Sequence, residues 1–180
     1  SEKTNSNGEG LGVIRMNNIV DGELDLTDMK YLSVSKDVEG SLKLCNGDIL
    51  FNRTNSKELV GKCAVFDKKE TYIFASYLIR LRVNSQKANP YFIAFAINSP
   101  IGRQQINALS RQIIGQANIN SQEIRSLKLP LPDIEIQHKL ARDINGIRQK
   151  STGLKIDAKA LYQREKANIE QIILGFQNIE

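Results

Sequence analysis

Beyond Pro130 and Pro132 the apolar positions of the chain step alternately by four and three residues: Leu140, Ile144, Ile147, Ser151, Leu154, Ala158 and Leu161. Side chains at that spacing share one helix face, so the run is the seam of a coiled coil. The stripe blurs at Glu165 and Asn168 and continues through Ile169, Ile172, Ile173 and Phe176. At about 1.5 Å per residue the helix reaches roughly 60 Å, too long to be covered by a small domain alone. It therefore needs a partner helix. Gly146 and Gly153 each cost roughly 1 kcal/mol against alanine, which leaves open a break into two helices. With 180 residues and 20.2 kDa, the rest of the chain fits one core. The expected division is a globular domain over residues 1–132 and a helix over 133–180.

Short apolar runs beside turn residues mark strands at Gly12–Met16, Asp48–Phe51 and Ala64–Phe66. From Tyr77 to Val83 the pattern alternates, with Ile79, Leu81 and Val83 on one face and Arg80 and Arg82 on the other, which predicts a half-buried strand. Asn89-Pro90 reads as a helix N-cap followed by proline at the first helical position, opening a helix over Tyr91–Ile97. Pro100 stops it, and a second helix over 101–110 carries Ile106 and Leu109 inward. Residues 111–120 read as a loop or irregular strand, Ser121-Gln122-Glu123 as the start of a short helix, and Leu127–Leu131 as a strand. Strands and helices mix without a βαβ period, so the fold class is α+β: a mixed α/β domain followed by a coiled-coil-type helix.

Charge is informative by segment. Residues 63–132 hold nine Lys/Arg against three Asp/Glu, whereas 1–62 hold eight against ten and 133–180 eight against seven. No acidic residue occurs from Thr71 to Gln122, while Arg80, Arg82, Lys87, Arg103 and Arg111 do. A polyanion is the natural partner of such a stretch if the cations share a face. The alternative is that they lie on different faces. The stretch is also rich in amides: Asn98, Gln104, Gln105, Asn107, Gln112, Gln116, Asn118, Asn120 and Gln122. Amides pair in bidentate fashion with adenine, as Arg does with guanine, and they also cap turns.

Other chemistry is poorly supported. Cys45, Cys63 and the single His138 offer no zinc-ligand spacing, and the thiols are expected to be free and mostly buried. His138 has no Ser or Cys partner nearby and reads as a helix-surface residue. No stretch reaches the roughly 18 to 20 apolar residues of a membrane span. The first residues are no signal peptide, so a soluble, cytoplasmic chain without membrane contact is expected. Ser1 and the polar residues after it suggest a segment excised from a longer protein. Asn89-Pro90-Tyr91-Phe92 resembles the tetrapeptide of amino-methyltransferases but lacks its second proline, and no Gly-rich turn after a strand exists to hold a methyl donor. Gly8-Glu9-Gly10-Leu11-Gly12 has the wrong spacing for a dinucleotide fingerprint and reads as a flexible lead-in or a turn into the first strand.

The run Asn118-Ile119-Asn120-Ser121-Gln122-Glu123-Ile124-Arg125-Ser126-Leu127-Lys128-Leu129-Pro130-Leu131-Pro132, with Ile136-Gln137 and Leu140-Ala141 after it, resembles the junction motif of type I restriction-modification specificity subunits. Gly12–Ile19, Gly47–Ser56 and Leu59-Val60-Gly61-Lys62 resemble that family's target recognition domain in the same order, so the likeness covers nearly the whole chain. A complete subunit has two such halves. This chain has one, as a half-length subunit or as a domain of a longer polypeptide, including one fused to a methyltransferase.

The resemblance implies that the globular part binds double-stranded DNA and reads one half of a bipartite target. It implies that the helix is a spacer and docking rod for a DNA methyltransferase subunit or fused domain, with a restriction subunit as a further partner. A homodimer through the C-terminal helix is also admitted, with Leu140, Ile144, Ile147, Leu154 and Leu161 as its seam. The chain itself is then not an enzyme and holds no cofactor or metal, S-adenosylmethionine belonging to the methyltransferase. By correspondence the turn Arg53-Thr54-Asn55-Ser56-Lys57 and the loop from Arg111 and Gln112 through Gln116 to Asn118 are the candidates for DNA contact, beside Arg80, Lys87 and Arg103 from the basic stretch. Gly61 and Gly115 are assigned to tight turns and Asn120 to a helix cap. Two other readings remain: a coiled-coil interaction module whose positive stretch is incidental, and a free-standing methyltransferase.

Overall fold

The computed structural model describes residues 4–113 and 116–175. Its contacts divide the chain into two units between His138 and Lys139. In chain order the first unit holds β1 (Leu11–Ile14), β2 (Ile19–Val20), β3 (Glu23–Leu24), β4 (Lys30–Leu32) and α1 (Lys36–Leu42). Then come β5 (Ile49–Asn52), β6 (Thr54–Asn55), β7 (Cys63–Val65), β8 (Tyr72–Phe74) and β9 (Leu78–Leu81). The helices α2 (Pro90–Asn98) and α3 (Pro100–Leu109), the strands β10 (Arg111–Ile113) and β11 (Gln116–Asn118), and α4 (Ser121–Arg125) complete it. The helix α5 (Ile134–Ile173) opens in this unit, and its remainder belongs to the second. This is the mixed α/β architecture with a long terminal helix that the sequence predicts.

Sheet order follows from which strands can be buried twice. The run Ile49-Leu50-Phe51 is wholly buried because consecutive strand side chains point to opposite faces and both faces are covered. Ile49 and Phe51 join Val60, Cys63, Val65, Ala94, Ile97 and Ile106 in one apolar cluster. Leu50 joins Ile14, Ile19, Ala64, Phe66 and Leu78 in a second. Accordingly β5 is the middle strand of β7-β5-β9, antiparallel to both neighbours. A second sheet, β4-β1-β8, has one parallel pair, and β2 and β3 form a hairpin. Its turn, Asp21-Gly22, has φ values of 51° and 80°, the left-handed pair that matches hairpin twist and that Asp-Gly adopts readily.

The helix α2 begins as read from sequence: Asn89 Oδ1 accepts hydrogen bonds from the backbone N–H groups of Tyr91 (2.9 Å) and Phe92 (3.1 Å), and Pro90 is the first helical residue. One expectation needs correction. Leu127–Leu131 is not a strand. Pro130 lacks a ladder donor, and the segment is held instead by Gln105, whose Oε1 accepts from Lys128 N (2.9 Å) and whose Nε2 donates to Lys128 O (2.9 Å). Of the two readings for residues 111–120, loop or irregular strand, the strand holds at 111–113 and 116–118, which pair antiparallel. The helix α5 does not break at Gly146 or Gly153, where a Cβ would meet open space. Of the two free thiols only Cys63 is buried, while Cys45 is exposed. No helix among the described residues is long and apolar enough to cross a membrane.

Candidate nucleic-acid interface

Two segments far apart in sequence meet in a third sheet, β10-β11-β6. Ala117 pairs with Asn55, Asn118 with Thr54, and Arg111 with Asn118 across the hairpin. The segment Arg53–Lys57 and the strands at 111–113 and 116–118, nominated separately from sequence, are thus joined through one sheet. Thr54 is buried, and its Oγ1 donates to Asn118 Oδ1, so this pair locks the sheet. The side chains left outward are Arg53, Lys57 and Gln116, with Asn55 and Ser56 half-buried. Arg53 lies with Asn118, Ile119, Asn120 and Glu123 around a cleft of about 180 Å³, and its backbone is fixed from both sides by Arg53 N to Tyr77 O and Ile119 N to Arg53 O, each 3.0 Å. The side chains of Arg111 and Gln112, and Gly115 altogether, lie outside the described residues.

Asn120 caps α4, accepting from Gln122 N (2.8 Å) and Glu123 N (3.0 Å), while Glu123 Oε2 accepts from Asn120 N (2.7 Å). That reciprocal box fixes the chain just after β11. Gly61 takes a φ of +81°, and a Cβ there would stand 2.6 Å from Ile106 Cγ2. It makes the tight return after the Arg53–Lys57 segment, as expected.

The basic stretch does not present one face. Arg103 is half-buried and donates to the carbonyls of Val60, Glu58 (3.2 Å) and Lys57 (3.5 Å). It clamps the loop behind β6, and burial lowers its pKa below the ordinary guanidinium value. Arg80 donates to Lys43 O (2.8 Å) and Ser41 O (3.3 Å) and stacks 5.3 Å over Phe74. Arg82 pairs with the buried Asp48 at 2.6 Å, which raises its pKa. A phosphate role for Arg80 and Arg103 competes with these contacts. Lys87 and Lys57 remain exposed. The amide signal divides in the same way: Asn98 ladders with both backbone groups of Cys63 (3.1 and 2.8 Å) and Gln105 with those of Lys128, so neither faces a ligand.

Sequence reasoning gave no role to Gln137, which is fully buried in the first turn of α5. Its Oε1 accepts from Asn89 N (2.9 Å), and its Nε2 donates to Pro132 O (2.7 Å) and Lys87 O (3.1 Å). Asn89 Nδ2 also meets Nδ1 of the exposed His138 at 2.8 Å. A lone glutamine in a helix start carries no signal of burial until its partners are known. In the second unit the seam residues Ile147, Leu154 and Leu161 are 68%, 70% and 52% exposed.

Among the described residues no group of three His, Cys, Asp or Glu could hold a metal ion. The first unit thus carries a small polar sheet assembled from two segments, and the second a helix with an exposed apolar seam. The chain belongs to the family of the type I restriction modification DNA specificity domain, which it matches over residues 1–153. It is similar to the specificity subunit of the type I restriction enzyme EcoKI of Escherichia coli K12, at 30% identity over 147 residues, 80% of this chain and 32% of that protein. It is similar also to the MjaX specificity subunit of Methanocaldococcus jannaschii, at 30% over 142 residues, 78% of this chain and 33% of that protein. The chain thus spans about a third of the length of the curated relatives it matches. Its fold is that of the HsdS subunit from Thermoanaerobacter tengcongensis, with a TM-score of 0.63 over 95% of this chain and 45% of that one, at 14% identity.

Proposed function

We propose that this chain reads one half of a bipartite duplex DNA target for a type I restriction-modification complex. The observation that carries the reading is the union of Thr54–Asn55 with 111–113 and 116–118 in the β10-β11-β6 sheet, which brings Arg53, Asn55, Lys57 and Gln116 to one part of the first unit. Such side chains discriminate base edges in the major groove, and a two-stranded ribbon fits that groove. Arg53, Asn55, Ser56, Lys57, Arg111, Gln112 and Gln116 are the readout candidates. Thr54 and Asn118 hold the sheet, and Lys87 is the candidate for phosphate contact.

The chain acts without catalysis of its own. S-adenosylmethionine binds the methyltransferase partner, in keeping with the absence of a Gly-rich donor turn in this sequence. The exposed seam of α5 supports helix pairing, with a second specificity half, with a methyltransferase subunit or with a second copy of this chain; a cytoplasmic site of action follows from such partners. Selection of bound duplexes from a random pool, with the methyltransferase present, is expected to yield one half-site motif. Enrichment of no motif at any salt concentration would sink the reading. Stoichiometric binding of S-adenosylmethionine by the chain alone, measured by calorimetry, would overturn its non-catalytic assignment.

A further inference from the structure

Residues 52–55 line two different clefts, Arg53 the small one beside Asn118, Asn52 and Asn55 another of about 320 Å³. That volume lies at the lower end of small-ligand sites, roughly 300–1,000 Å³. Its walls are Met16, Ile19 and Leu59, and its polar groups include Asn52, Asn55 and Lys62. Asn52 is 2% exposed, and its Oδ1 has no hydrogen-bond partner. A buried acceptor left unmet is uncommon and calls for an explanation. Asn55 Nδ2 has Met16 Sδ at 3.4 Å, a weak acceptor that leaves the donor little engaged.

Base edges inside a groove are read by convex elements, such as a helix or a ribbon, that enter it. A concave cleft cannot enter a groove and takes only what protrudes from the duplex. A base lifted out of the stack has two apolar faces and an edge carrying a donor beside an acceptor. We infer that this cleft holds one nucleobase displaced from the duplex, its faces against Met16, Ile19 and Leu59 and its edge on Asn52 and Asn55. The inference rests on the DNA-reading proposal and adds a subsite to it. Lys62 at the cleft accounts for the phosphate of the displaced nucleotide. Asp21, also in the lining, disfavours a phosphate next to itself.

The test uses the selected duplex with one nucleotide at a time replaced by an abasic site, which leaves the opposite base unpaired. At one position the unpaired base is expected to raise affinity for this chain roughly tenfold, since the unpairing cost is removed. Asn52→Leu should abolish that gain without lowering the melting temperature, because an apolar side chain of similar volume replaces an unmet acceptor. Leu59→Ala, at a wall that is 40% exposed, should reduce the gain and keep the fold. Non-specific affinity for random paired duplex should be unchanged in both variants. If the paired duplex binds selectively but no position shows a gain, or the gain survives both variants as a mere effect of flexible DNA, the inference is overturned and the DNA reading stands. If no duplex is preferred over random sequence, both fall.

Discussion

Arg53, Arg80 and Arg103 carry one charge into three surroundings. Arg53 is exposed beside the β10-β11-β6 sheet, Arg80 lies on the Ser41 and Lys43 carbonyls, and Arg103 is spent on the loop from Lys57 to Val60. Their alanine variants should therefore fail differently. Arg53→Ala is expected to lower preference for the selected target by roughly 1–3 kcal/mol with non-specific binding nearly intact, as read by competition between specific and random duplexes. Equal losses on both duplexes would remove Arg53 from the readout. Arg103→Ala should instead destabilise the fold by about 1.5–3 kcal/mol, the range for hydrogen bonds to a charged group, seen as a lower midpoint in urea. The three arginines are indistinguishable in sequence because a charge count does not reveal which backbone carbonyls lie within reach. Amides are ambiguous for a related reason: Asn98 and Gln105 display the donor and acceptor of a peptide unit, so they ladder with backbone as readily as with a base.

At the scale of elements, the local signals were legible and the long-range ones were not. The Asn89-Pro90 cap and the period of α5 depend on neighbours within a turn or two, so spacing alone exposes them. The failure of residues 127–131 to join a ladder depends on Gln105, 23 residues away from Lys128, which no local pattern encodes. Gln137 is the same case, and Gln137→Ala should cost about 1–3 kcal/mol by leaving Asn89 N and two carbonyls unmet. Thermal melting would show it, and an unchanged midpoint would mean that these groups find other partners. On α5, Gly146 and Gly153 lie one residue before the seam positions Ile147 and Leu154, with open space at each Cβ. Their replacement by alanine should raise helix stability by about 1 kcal/mol each and leave association unchanged. Replacing Leu154 and Leu161 by Lys should do the reverse, weakening helix pairing while circular dichroism of the folded domain persists. Light scattering with an unaltered oligomer and unaltered partner binding would count against the seam.

For the whole molecule the net charge of +5 is a poor guide to DNA affinity, because internal contacts hold three of the cations in the acid-free stretch. Few phosphate contacts are then expected, and the salt dependence of binding should be shallow. Each contact adds about 0.9 to the slope of log affinity against log salt, so Lys87→Ala should lower it by about that amount on every sequence alike. A steep slope untouched by Lys87→Ala would point to another phosphate-binding face. The β10-β11-β6 sheet has one more consequence, in time rather than in space. Thr54 and Asn118 are 64 residues apart in sequence, and the entropy of closing so long a loop must be met before the two halves of the surface touch. A chain still emerging during synthesis, or one in which β6 has come away, keeps its cations but lacks the joined β10-β11-β6 sheet. On the DNA-reading proposal such a species would cling to any duplex and discriminate among none, and selectivity is expected only once the Thr54–Asn118 contact has closed.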